Sequence, residues 1–406
     1  MSGTMAVQQE IAGQWVAALA ELLSEAPRPV ALHEPEIGAE EQRLVAECLS
    51  SGWVSSVGEF VTRFGDELAT LCGAGHAIPC VNGTAALHMC CVLAGVLPGD
   101  EVLVPTLTFV GTANAVSHSG AIPHFVDAES ARLGICPLKL DDYLSRSARL
   151  EANGARNLAT GRLIKALVVV HVFGHPAELE ALLAVADKWH LVLIEDAAES
   201  LGSTYHGRPL GAWAPLGALS FNGNKIVTTG AGGAILTNDA AIGAHARHLT
   251  TTAKQPHRYE FVHDEIGYNY RLPNLNAALG MAQLTRLDDF IARKRAVAAA
   301  YIAALDGLPG ARVLREPPNS VSNYWLNALV LDSGEAGLRD AILEATNDLG
   351  IMTRPLWRPM HLLPMYAEHP RMPDLGTAED LYQRVINLPS SPRLAPVLAA
   401  ARSRAR

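Results

Sequence analysis

Leu191-Val192-Leu193-Ile194-Glu195-Asp196-Ala197-Ala198-Glu199-Ser200-Leu201-Gly202 runs four apolar residues straight into carboxylates. A short apolar run without polar alternation describes a strand buried on both faces, as in parallel sheets covered by helices. Ligands of open α/β sheets bind beyond the carboxyl ends of the strands, which puts Asp196 where a ligand is met. An aspartate after a strand also caps a following helix, and both readings stand for Asp196 at this level.

The next segment outward is Ser220-Phe221-Asn222-Gly223-Asn224-Lys225-Ile226-Val227-Thr228-Thr229-Gly230-Ala231-Gly232-Gly233. It sets one lysine between a strand and a glycine-rich turn, with a serine five positions upstream. A lysine held in a pocket loses its proton and forms a Schiff base with an aldehyde. The alternative is a surface lysine beside a turn. Pyridoxal phosphate (PLP) is the aldehyde cofactor held this way, and its ring acts as an electron sink. Asp196 would pair with the ring nitrogen, and Glu199, three residues on, would reach the 3-hydroxyl.

Further upstream, Ala77-Ile78-Pro79-Cys80-Val81 leads through Asn82-Gly83-Thr84 into the apolar helix start Ala85-Ala86-Leu87. A helix N-terminus offers unpaired N–H groups and partial positive charge, which suits a phosphate. Thr84 and Ser220 would add hydroxyl donors. The strand Glu101–Pro105 is followed by Thr106-Leu107-Thr108-Phe109-Val110-Gly111-Thr112-Ala113-Asn114, where Phe109 either stacks on a flat ring or is plain core.

These segments, together with Gly267-Tyr268-Asn269-Tyr270-Arg271, resemble the DegT/StrS class of PLP-dependent sugar aminotransferases, in the same order, from about Glu36 to Ser391. The resemblance implies a fold-type I α/β enzyme: a mostly parallel sheet with helices on both faces, plus a smaller C-terminal α/β domain. It implies that Lys225 carries PLP and that Asp196 and Glu199 meet the pyridine nitrogen and 3-hydroxyl. Gly83, Thr84 and Ser220 would hold the phosphate, and Phe109 would stack on the ring. It also implies that Asn269 reaches the phosphate of a neighbouring subunit, making a homodimer with shared active sites. Glutamate is the implied amino donor and a nucleotide sugar the acceptor.

A finer likeness is carried by Gly52-Trp53-Val54-Ser55-Ser56-Val57-Gly58, the Gly223-Asn224-Lys225 stretch, Thr250-Thr251-Thr252-Ala253-Lys254 and Thr353-Arg354-Pro355-Leu356-Trp357. These are similar to the legionaminic-acid-pathway branch, which aminates the 4-keto carbon of a UDP-linked 4-keto-6-deoxy-N-acetylhexosamine. The GDP-perosamine synthases share Glu-Asp-Ala-Ala-Glu and Gly-Asn-Lys, so GDP-4-keto-6-deoxymannose is the alternative acceptor. Many relatives have Glu or Gly where Ala231 stands, which touches loop contacts rather than the chemistry. Relatives that act as sugar dehydratases replace the lysine with histidine, and Lys225 argues against that activity. Gly230-Ala231-Gly232-Gly233 misses the G-x-G-x-x-G spacing of a dehydrogenase loop and precedes a strand.

Composition sets the bounds. The chain has 406 residues, 49% hydrophobic and 18% charged, enough for a large core and two domains. No apolar run approaches the roughly 18–20 residues that span a bilayer, and Met1 to Ala12 lacks the pattern of a signal peptide. The six cysteines all fall in the first third with no CxxC pair, which reads as burial in a reducing, cytoplasmic compartment and not as a disulfide or metal framework. His171 and His175 have no partner at metal spacing and read as turn and core-edge residues. A formal charge of −9 argues against nucleic acid, so an anionic substrate must be met by local cations. Lys254, His257, Arg258, Arg271 and Arg354 are the candidates, with Trp53 as a further substrate contact.

Along the chain, residues 1–30 read as an N-terminal arm with a helical stretch at Val16 to Ser24, 31–285 as a large cofactor-binding domain, and 286–406 as a small domain. Strands are expected at 77–81, 101–105, 122–126, 166–171, 191–195, 216–221 and 233–237. A long helix is expected from Asn274 to about Leu305, broken near Leu287-Asp288, followed by a strand over 324–331.

Overall fold

The computed structural model describes residues 2–332 and 337–404. All seven expected strands form, three with the expected ends and the others with ends moved by up to three residues. They lie in a nine-stranded sheet whose main path is His76–Cys80, Gly233–Thr237, Leu216–Ser220, Val192–Asp196, Leu163–Val170, Glu101–Pro105, Ile122–Val126. The hairpin Ala148–Glu151/Gly154–Asn157 joins at the start of Leu163–Val170.

The four pairings from Leu216–Ser220 to Ile122–Val126 are parallel. Gly233–Thr237 runs antiparallel to both of its neighbours, so the sheet is mixed at that end. The parallel strands are mostly apolar because successive side chains enter different layers. Val102 and Val104 pack in the same core as Ala86 and Cys90 of the helix Gly83–Leu93, while Leu103 joins Leu140 and Leu182 beneath two other helices.

Two consecutive reversals leave His76–Cys80 running in the same sense as Leu216–Ser220. The strand ends at Cys80, Pro105, Val170, Asp196 and Ser220 therefore meet at one sheet edge, and the segments holding Gly83-Thr84, Phe109, Asp196-Glu199 and Lys225 leave from it.

A smaller antiparallel sheet is built from Ala311–Val313, Asn327–Leu331, Val385–Leu388 and Arg354–Pro355. The connecting helix breaks at Thr285-Arg286, between Asn274–Leu284 and Leu287–Leu305. Among the described residues no helix is long and apolar enough to cross a membrane.

The first helix, Ser2–Leu22, is longer than the expected stretch and is built into the smaller sheet's core. Trp15, Leu19 and Leu22, three to four residues apart, bury one face against Val297, Tyr301, Ile342 and Leu398. The Trp15 indole N–H donates to the Pro309 carbonyl at 2.8 Å. Trp15→Ala is expected to cost about 3–5 kcal/mol, the usual range for emptying a buried tryptophan site, read as a lowered urea midpoint.

All six cysteines are free, five of them buried, and burial pushes the thiols of Cys72, Cys80 and Cys91 up to about 12, so they pack as small apolar side chains.

Candidate active site

A cavity of about 680 Å³ opens at the convergent strand ends. Its wall includes Gly83, Thr84, Phe109, Asp196, Glu199, Ser220, Lys225 and Arg354, eight of the residues singled out from sequence. Leu32 and segments between 82 and 387 supply it, and the crossover connections return the parallel strands to the same edge.

Lys225 follows the strand Leu216–Ser220 by a short turn closed by its own N–H to the Asn222 carbonyl at 3.0 Å. Its side chain is 13% exposed, and Nζ lies 3.5 Å from Glu199 Oε1 and 3.8 Å from the centre of the Trp325 ring. Trp325 is itself fixed: its indole N–H donates to the Asn224 carbonyl at 2.7 Å, and buried Lys294 donates to the Trp325 carbonyl at 3.0 Å. The amine is thus directed into the cavity by its own turn and by an immobile ring.

Asp196 ends its strand with its carboxylate buried. Thr112 Oγ1 donates to Oδ2 at 2.7 Å and the Ala198 N–H to Oδ1 at 3.2 Å. A turn follows, not a helix, so the helix-capping alternative is not what forms. Burial raises its carboxyl above the ordinary range, opposed by the Thr112 and Ala198 donors and by Lys225.

Glu199 accepts the Phe173 N–H at 2.8 Å on its other oxygen. To make that bond Phe173 adopts φ 58°, and Gly174 follows at φ 90°, where a Cβ would lie 1.9 Å from Asn323 Oδ1.

Burial pushes the Glu199 carboxyl up to about 7, although Lys225 and the Phe173 N–H pull it down. Between its ordinary value of 4.5 and about 7 the unfolded chain has released this proton while the folded chain keeps it. Stability from this group therefore falls as pH rises through that window and is level above it. Glu199→Gln cannot titrate and is expected to flatten that part of the cofactor-free protein's urea-midpoint profile between pH 5 and 7. A profile of unchanged slope would contradict the assignment.

The opposite wall is the start of the helix Gly83–Leu93. The Asn82 side chain takes the Ala85 N–H at 2.8 Å, and the N–H groups of Gly83 and Thr84, in the first turn, have no helical acceptor. A Cβ on Gly83 would stand 2.8 Å from Ser220 Cβ, so only glycine leaves this cup open beside the serine. Phe109 is 57% exposed on the cavity wall, which excludes the plain-core reading.

The arrangement fits PLP: an amine in a cavity, a buried carboxylate beyond it, an open flat-sided ring and an N–H cup that a single Cβ would fill. Residues 35–399 match the DegT/DnrJ/EryC1/StrS aminotransferase family.

The chain belongs to that family.

Two relatives are named GDP-perosamine synthase. That of Caulobacter vibrioides is 38% identical over 91% of this chain and 94% of its own length. That of Escherichia coli O157:H7 is 35% identical over 90% and 94%. The crystal structure of the aminotransferase TlmJ from Streptoalloteichus hindustanus superposes with a TM-score of 0.80 at 27% identity, covering 93% of this chain and all of that one. This member of the DegT/DnrJ/EryC1/StrS family is a nucleotide-sugar aminotransferase with the fold-type I architecture, and its cofactor is PLP.

The finer likeness to the legionaminic-acid branch gains no support from these relatives, whose names point to the GDP-linked alternative. Of the stretches quoted for it, Asn224-Lys225 and Arg354-Pro355-Leu356-Trp357 line the cavity, while Gly52–Gly58 and Thr250–Lys254 stand away from it.

Six singled-out residues do not line the cavity of this family member, His257 and Arg258 among them in the exposed stretch after Lys254. Trp53 is 62% exposed, Asn269 is exposed beside Thr251, and Lys254 packs over Phe261 in an exposed loop. Arg271 is buried beside Cys80, and burial lowers its guanidinium below the ordinary value.

His171 and His175 are both buried, deeper than core-edge residues. His171 Nδ1 accepts the Ala177 N–H at 3.2 Å, which leaves Nε2 to donate to Glu195 at 3.1 Å.

Sequence reasoning missed Thr112, Trp325, Trp357, Arg358, Tyr382 and Asn387 on the wall. Thr112 stands three residues after Phe109 in a stretch already recognised, and Arg358 directly follows Trp357, so both had an available signal. Tyr382 and Asn387 had none, since they arrive through the fold of the smaller sheet.

Proposed function

We propose that the enzyme moves the amino group of glutamate to the 4-keto carbon of GDP-4-keto-6-deoxymannose, giving 2-oxoglutarate and GDP-perosamine. The observation carrying the chemistry is Lys225 Nζ poised between Glu199 and Trp325 in the cavity where Asp196 lies buried. The choice of sugar rests on the two GDP-perosamine synthases named above.

PLP, when bound, would supply the electron sink for breaking the donor's α-C–H bond and for forming the C4–H bond of the sugar. Lys225 would hold it covalently, then use the freed Nζ to take the proton from the donor's α-carbon and later deliver one to sugar C4. Asp196 would keep the ring nitrogen protonated through a buried charge-assisted hydrogen bond, and Glu199 would face the 3-hydroxyl. The first N–H groups of the Gly83 helix, with the Thr84 and Ser220 hydroxyls, would bind the phosphate. Phe109 would cover one face of the ring.

A homodimer with shared sites is part of this reading. Trp53, Val54, Val57, Tyr259, Phe261 and Ile266 are large apolar residues exposed on one chain, on the segments flanking Asn269 and the Trp53 loop. Asn269 would complete the neighbour's phosphate cup. The reduced, buried cysteines support a cytoplasmic location.

The test is the visible band of the lysine-bound cofactor. It is expected to fall on adding glutamate and to recover on adding GDP-4-keto-6-deoxymannose. Recovery only with a UDP-linked 4-keto-6-deoxy-N-acetylhexosamine would reverse the choice of nucleotide.

A further inference from the structure

Three cations line the cavity: Lys225, Arg354 and Arg358. Lys225 is the cofactor's anchor. Arg354 is partly engaged, with Nη1 donating to Asn347 Oδ1 and to the Thr353 carbonyl, both at 2.7 Å. Arg358 alone makes no hydrogen bond, ion pair or ring contact with any described residue, although its backbone is firmly held. The Leu356 N–H donates to the Val385 carbonyl at 3.1 Å and the Met360 N–H to the Thr106 carbonyl at 2.8 Å, pinning both sides, and Pro359 fixes the next φ. An uncommitted guanidinium on a rigid wall is arranged for a planar anion.

We propose that Arg358 binds the α-carboxylate of the amino donor, and so decides that the donor is an amino acid. This rests on the aminotransferase reading above. The argument is one of reach. The α-carboxylate is bonded directly to the carbon that Lys225 deprotonates, so its cation must share a cavity with Lys225. The diphosphate of a nucleotide sugar is separated from the reacting C4 by the width of the pyranose ring and the anomeric oxygen. Cations suited to it lie outside the cavity, in the exposed segment holding Lys254 and Arg258. Trp357 directs the segment inward: its ring lies 5.2 Å from that of Phe173, whose N–H binds Glu199 beside Lys225.

The experiment compares holoenzyme wild type, Arg358→Gln and Arg358→Lys in separate half-reactions. One follows the fall of the lysine-bound band against glutamate concentration. The other follows its recovery when the aminated enzyme meets GDP-4-keto-6-deoxymannose. Arg358→Gln is expected to raise half-saturating glutamate about 10- to 100-fold, the scale of one charge-assisted pair. Its effect on the sugar half-reaction is expected to be at least several-fold smaller, and Arg358→Lys should recover part of the loss. Equal losses in both halves, a loss confined to the sugar half, or no loss would each overturn the assignment. A wild type whose band ignores glutamate would instead sink the donor reading on which this inference rests.

Discussion

Lys225→Ala is expected to purify without the visible band of lysine-bound cofactor and to lose at least about 10²–10⁴-fold in turnover, the range for removing a positioned proton carrier. Among the described residues no second amine lines the cavity to take its place: the other two cations there are arginines, which stay protonated and form no Schiff base. Fold loss is not the cause foreseen, because the Lys225 side chain donates only to Glu199, and only at 3.5 Å. Its removal also leaves the raised Glu199 carboxyl without its nearest cation, which favours the neutral acid. Lys225→Arg separates charge from chemistry. It keeps a cation beside Glu199 and Trp325 and is expected to be as inactive as the alanine variant. Normal turnover in either variant would sink the mechanism.

Asp196→Asn is expected to keep the band and still lose about 10²–10³-fold in turnover, the scale of deleting one buried electrostatic partner at a reacting group. The amide is isosteric, and its oxygen can still accept from Thr112 or Ala198. What disappears is a negative charge that burial already disfavours. In the cofactor-free protein the same change is therefore expected to leave the urea midpoint unchanged or raise it, since a buried carboxylate is replaced by a neutral group. Loss of turnover without loss of stability is the signature of a charge held in place for the ring nitrogen. A fall in both would mark Asp196 as a structural residue.

Legibility from sequence followed contour distance. Asp196, Glu199, Ser220, Lys225, Gly83 and Thr84 were readable because each sits within a few residues of a strand end, and a strand followed by a turn fixes direction locally. The reversal at Gly233–Thr237 was not, since apolar runs look alike in parallel and antiparallel neighbours. Trp325 reaches Lys225's surroundings from 100 residues away, and nothing in its own segment announces that destination. Arg271 misled for the opposite reason. An arginine in a polar motif reads as a surface cation, but its backbone bridge to Cys80 carries it inward. The nucleotide was hardest, because the motifs that stand out surround PLP and not the sugar.

The placement of Trp15 sets a schedule for making the protein. Its acceptor, the Pro309 carbonyl, lies 294 positions downstream, and the other walls of its pocket include Leu398. At about 5–20 residues per second of translation, the first helix waits on the order of 20–80 s before the last of those partners leaves the ribosome. Throughout that interval Trp15, Leu19 and Leu22 present an uncovered apolar stripe, while the large sheet has every strand it needs once Thr237 has emerged. The core behind the smaller sheet, by contrast, closes only when the first helix meets side chains as far on as Leu398. A nascent chain of this enzyme therefore asks for a chaperone at its beginning, and a stalled or shortened one leaves an adhesive helix for the cell's quality control to find.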